Sequence, residues 1–183
     1  MNKRGPNQRF SISRRGQVWI ETVIYTLIAL VIIGLVLSFV QPKIQELQDR
    51  SVLQQSISMM NSIDSTIISL SQEGAGNKRE MQISVRSGTL TIDGADDLIT
   101  FSMTSHYQFS EPDTPVNYGS IIVLTHAQNN LNLVNMTLNY SRQYNITFNG
   151  QDSLYSLTQS STPYNIFISN QGGTNPNIDF ESG

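Results

Sequence analysis

The chain has 183 residues, with 11 Lys and Arg against 14 Asp and Glu, and no cysteine. Five of the basic residues and none of the acids fall within the first 16, so the remainder carries six basic against fourteen acidic side chains, a net charge of −8. That balance argues against a nucleic-acid ligand, which calls for a basic face, and the missing thiols exclude disulfides and thiolate metal centres, leaving any folded domain to be held by its core.

The chain opens on a basic leader, Lys3, Arg4, Arg9, Arg14 and Arg15, that ends in Gly16. It is followed by Gln17-Val18-Trp19-Ile20-Glu21 and then by an uncharged apolar run from Val23 to Val40, 13 of whose residues are Val, Ile, Leu or Phe. Each of these contributes about −0.3 to −0.6 kcal/mol to bilayer insertion, and 18 helical residues at about 1.5 Å each are long enough to span. The run therefore predicts a membrane helix. A secretory signal would be shorter and would end in a small-residue cleavage site, which Ser38-Phe39-Val40-Gln41-Pro42 does not offer. Arg14-Arg15 admits a twin-arginine reading, but the same later site is missing. The excess of positive charge before the run predicts that the amino end stays in the cytoplasm and the remainder goes out, with Trp19 at the headgroup level.

Gly16, Gln17 and Glu21, set just before a long apolar run, resemble the leader of type IV prepilins, and the glutamine resembles archaeal pilins more than bacterial ones. Trp19 and Tyr25 depart from the archaeal pattern, which tends to have Ser and Leu there. The resemblance covers about the first 55 residues. It implies that a prepilin peptidase cuts between Gly16 and Gln17, that residues 1–16 are removed, and that the helix is kept, first as membrane anchor and then as filament core. Its implied partners are identical subunits, the peptidase, the membrane and a pilus assembly platform, with adhesion or surface attachment as the purpose. Glu21 would then lie four residues from a new ammonium on Gln17, and in a bundle of apolar helices it would be offset by the amino terminus of a neighbouring subunit, fixing the axial register. The competing readings are a solvated carboxylate at the membrane edge, an uncleaved single-span anchor carrying a β-rich binding domain, a pseudopilin of a secretion machine, and an anchored surface enzyme.

Beyond the run, Leu53, Ile57, Met60, Ile63, Ile67 and Leu70 recur at helical spacing among polar residues, which extends the predicted helix over residues 17–73. Gly34 weakens it and Pro42 removes a backbone bond toward Ser38, so both are candidate breaks, or Pro42 is an ordinary membrane-exit proline. Gly74 and Gly76 supply left-handed caps.

From Met81 the period changes to two. Met81, Ile83 and Val85 alternate with polar residues, as do Leu90 and Ile92, and Ser87-Gly88 between them reads as the turn of a hairpin. Ile99, Phe101 and Met103 give a further strand, and Ile121-Ile122-Val123-Leu124 reads as a central strand buried on both faces. Val134, Met136, Leu138 and Tyr140, then Tyr144, Ile146 and Phe148, suggest a second hairpin turning at Arg142-Gln143. On its expected solvent face lie three glycosylation patterns, at Asn135, Asn139 and Asn145; with sixteen Asn in a chain rich in Ser and Thr their number is what chance would give. The fold class is thus α+β: a long hydrophobic helix, then a β-rich head over residues 81–183 for which a sandwich is a suitable arrangement.

Catalytic signals are sparse. His106 and His126 sit in or beside β-like segments with no zinc spacing, nucleophile elbow or phosphate loop, and read as structural. Asp93, Asp96 and Asp97 surround Gly94 without the spacing of a calcium loop and read as a solvated turn. The sequence predicts neither an enzyme nor a cofactor or metal.

Overall fold

In a computed structural model the described residues are 14–183, with side chains described from Val18 onward. The first thirteen residues of the expected leader lie outside them, as does the side chain of Gln17. The elements are one helix, α1 (Arg14–Glu73), and ten strands: β1 (Lys78–Ile83), β2 (Thr89–Asp93), β3 (Leu98–Ser105), β4 (Val116–Tyr118), β5 (Ile121–Gln128), β6 (Leu131–Asn139), β7 (Asn145–Phe148), β8 (Leu154–Thr158), β9 (Tyr164–Gly172) and β10 (Asn177–Ser182). The class is α+β. The chain divides into two compact units after Lys43, so the later part of α1 belongs with the strands.

α1 is helical throughout, Gly34 and Pro42 included. Pro42 has no N–H to give the Ser38 carbonyl, and the division between the compact units falls just beyond it.

In the second unit, Leu53, Ile57, Met60, Ile63, Ile67 and Leu70 form one face of α1, and all are buried. They join a single core with the inward residues of two sheets, one of order β1-β9-β10-β7 and one of order β4-β5-β6-β3-β2-β8. The larger sheet is antiparallel throughout. Its centre, β3 against β6, alternates as its sequence predicts, with Ile99, Phe101, Met103, Val134, Met136 and Leu138 inward. Tyr140 extends the same inward row.

Three pairings differ from the sequence reading. β1 and β2 are not a hairpin, since β1 pairs with β9 and β2 with β3 and β8. Ser87-Gly88 instead carries the chain from one sheet to the other. Gly88 has φ +82° there, and a Cβ would lie 2.3 Å from the Ser102 carbonyl oxygen, so the glycine answers a close approach and not a two-residue turn. β6 and β7 are likewise in different sheets, β7 lying parallel to β10. β5 is one strand in from an edge, with Ile121 and Val123 buried but Ile122 exposed, so it is covered on one face only.

Two polar contacts fix α1 in this core. The Tyr140 hydroxyl donates to Asp64 Oδ1 at 2.8 Å, and both residues are buried. The Asn170 amide donates from Nδ2 to the Leu70 carbonyl at 3.0 Å, satisfying one of the orphan acceptors of the helix end. Gly74 and Gly76 take φ of +89° and +90°, and the Gly76 N–H then donates to the Asn170 carbonyl at 2.7 Å, leading the chain into β1.

Burial, and then the bond to Asp64, push the Tyr140 phenol well above its ordinary range. In the unfolded chain the phenol ionises near about pH 10, whereas the folded state holds its proton. The stability that follows is complete below about pH 10 and is lost as pH rises beyond it, by up to about 1.4 kcal/mol per pH unit. Tyr140→Phe is expected to remove that slope, and to cost about 1–3 kcal/mol at neutral pH by leaving the Asp64 oxygen without its donor. Urea midpoints of the two proteins between pH 8 and 11 check both; equal slopes would dismiss the Tyr140 phenol as the cause.

Candidate functional site

In the first unit every apolar side chain from Val18 to Val40 is exposed, Trp19 and Phe39 by more than 70%. None of the most apolar 18-residue window is buried. Burying a large apolar side chain gains about 1.5–3 kcal/mol, so leaving 13 of Val, Ile, Leu and Phe in water forgoes tens of kcal/mol. The segment is long and apolar enough to cross a membrane.

Three of its hydroxyls are satisfied within the helix itself. The hydroxyls of Thr22, Thr26 and Ser38 donate to the carbonyls of Val18, Thr22 and Gly34 at 3.0, 2.8 and 2.8 Å, so they ask nothing of their surroundings. Gly34 lies open, with nothing but the adjoining helix backbone within 4 Å of where its Cβ would be. Glu21 differs from those side chains in carrying a charge. It is exposed and has no hydrogen-bond or ion-pair partner among the described residues, at the edge of a segment that holds no other charge up to Gln41. A carboxylate there is costly in an apolar bundle unless a cation meets it.

The other sites expected from sequence are scattered over the second unit. Asn135 and Asn139 lie on β6, whereas Asn145 opens β7 in the other sheet, so the three do not share the face of a hairpin. Asn139 is exposed, and its Oδ1 accepts from the Ser141 backbone N–H and hydroxyl at 3.1 and 2.7 Å. Asn135 is half-buried with Oδ1 fully covered, and half-buried Asn145 donates to Asn177 at 3.5 Å. His106 Nδ1 lies 3.0 Å from Asp49 Oδ2, and His126 Nδ1 lies 2.6 Å from Asp113 Oδ1, each an exposed pair. Asp93 Oδ1 accepts the N–H groups of Ala95 and Asp96, and Asp97 Oδ1 accepts that of Ile146 at 2.8 Å. These carboxylates are turn and edge caps; among the described residues no three metal-ligating side chains converge.

Sequence reading missed the Asp64–Tyr140 pair. The available signal was an acidic residue in the middle of the apolar face, directly after Ile63 and four residues beyond Met60. It also missed Asn170, for which sequence carried no signal, because its role depends on a helix end 100 residues earlier.

No protein-family model, no curated protein and no solved structure matches this chain.

Proposed function

We propose that this chain is a type IV pilin-like structural subunit, most like archaeal pilins, cut between Gly16 and Gln17 by a prepilin peptidase and polymerised through residues 17–40. The observation that carries the reading is the uncovered apolar helix with a single carboxylate, Glu21, at its start. In this reading the helix waits in the membrane with its amino end in the cytoplasm, and the assembly platform transfers it from lipid to a bundle of identical helices. Glu21 then accepts the Gln17 ammonium of a neighbouring copy. The two sheets lie outside the membrane, where adhesion or surface attachment is the purpose, and Asn139, exposed on β6, is the sequon we assign to a glycan. Function here is assembly, with no chemistry beyond the processing cut.

Amino-terminal mass spectrometry of the protein from membranes and from sheared surface material of the native host tests this. A terminus at Gln17 in sheared filaments is the expected result. A terminus near Met1, found in membranes alone, would overturn it and leave an uncleaved single-span anchor bearing a β-rich binding domain.

A further inference from the structure

The two sheets present four edges, and they are treated differently. β1 opens with Lys78-Arg79-Glu80, charges of the kind that guard an edge. β7 is closed by hydrogen bonds: Asp97 Oδ1 takes the Ile146 N–H at 2.8 Å and the Gln151 carbonyl takes that of Phe148 at 2.9 Å. β4 and β8, the two edges of the six-stranded sheet, carry no charge at all. They also collect the apolar exposure. Outside α1 and among the described residues, the exposed large apolar side chains are Val116 and Tyr118 on β4, Ile122 beside it on β5, and Leu154 on β8.

We infer that β4 of one copy pairs with β8 of a second copy of this chain, carrying the six-stranded sheet from one subunit into the next. The topology favours this pairing. Six strands, each antiparallel to its neighbour, leave β4 and β8 running in opposite directions. A neighbour repeated in the same orientation therefore meets β4 with an antiparallel β8, so the alternation of the sheet is unbroken. Faces match as well. Val116 and Tyr118 lie opposite Val123 and Ile121, on the core side of the sheet, and β8 carries Tyr155 and Leu157 on that side, opposite Ile92 and Leu90. The contact is heterologous, and a heterologous contact that does not close generates a helical filament.

It is also small. Pro115 before β4 and Gly119 after it hold that strand to three residues, and the Thr158 carbonyl is already taken by the Tyr164 hydroxyl at 3.0 Å. Such a contact does not gather copies from solution. It forms once the apolar helices have concentrated them, when pairing becomes effectively intramolecular. To that extent it rests on the assembly reading above.

The chain has no cysteine, so disulfides report the contact directly. Residues opposite one another in an antiparallel pair have Cα atoms about 4.5–5.5 Å apart, within disulfide range. Asn117 is combined in the full chain with Leu154, Ser156 or Thr158, each pair changed to cysteine; all four are exposed and share the outer face, and three partners allow for register. Surface material and membranes of the native host are oxidised and run without reductant. At least one of the three double variants is expected to give a ladder of dimers, trimers and higher multimers, and no single variant to give more than a trace of dimer. Filaments with a Gln17 terminus that yield no ladder from any pair would overturn the edge contact while leaving the assembly reading intact. Strong dimers from Asn117→Cys alone would overturn it too, by making the contact isologous. A ladder in membranes from protein that still begins at Met1 would uphold the edge contact and sink the filament.

Discussion

Glu21→Ala is expected to abolish filaments while leaving the protein in the membrane. Insertion depends on the summed transfer of 13 large apolar residues between Val23 and Val40, and removing one carboxylate from the edge of that run makes insertion no harder. Assembly is different. If the Gln17 ammonium of one subunit is buried against Glu21 of the next, truncation leaves that ammonium without a counter-charge in apolar surroundings, a loss of about 3–5 kcal/mol per contact. Repeated at every subunit, that exceeds what a growing polymer tolerates. Glu21→Gln is expected to fail nearly as badly, because the amide keeps the size and loses the charge, whereas Glu21→Asp retains partial assembly. Sheared fractions and membranes probed together decide the matter: normal filaments from Glu21→Ala would return Glu21 to the role of a solvated carboxylate at the membrane edge.

The second large effect is on the core of the β-rich unit. Ile63→Ala is expected to lower its stability by about 2–5 kcal/mol, the cost of a buried cavity. Ile63 is fully buried in the face of α1 that both sheets close upon. Ile68, five residues on, is 37% exposed, and Ile68→Ala is expected to stay within about 0.5 kcal/mol of the natural chain. Urea unfolding followed by near-ultraviolet circular dichroism of the aromatic side chains separates the two. Equal effects would mean that this stretch of helix is not part of the core.

The helical face was legible because its six apolar residues are separated by polar ones at a helical period that no strand shares. The strands were legible for the same reason, and Ile99, Phe101 and Met103 point inward as their alternation requires. Pairing was not legible. Period two states which side of a sheet a residue takes, but not which strand lies beside it. The partner of β1 is β9, and no local signal near Ile83 or Gly88 points 80 residues ahead. Ser-Gly was therefore read as a hairpin turn when it is a crossing between sheets. At Glu21 the sequence carried nearly all that can be said, because the structure adds that the helix is uncovered and that Thr22, Thr26 and Ser38 are satisfied within it, and leaves the charge exposed. The open edges β4 and β8 were invisible before the topology, since an edge is a property of strand order and not of composition.

The fastening of the helix end to Asn170, with Lys78 opposite Ser169, also sets the timing of folding. The four-stranded sheet cannot begin at β1, whose partner emerges some ninety residues later. Such non-local pairing is slow, because loop-closure entropy is spent before contacts repay it. The part of the apolar stripe from Leu53 to Leu70 that this sheet covers therefore stays open until nearly the whole chain has been made. The interval between synthesis of α1 and arrival of residues 164–182 is therefore when that part of the core is open to aggregation.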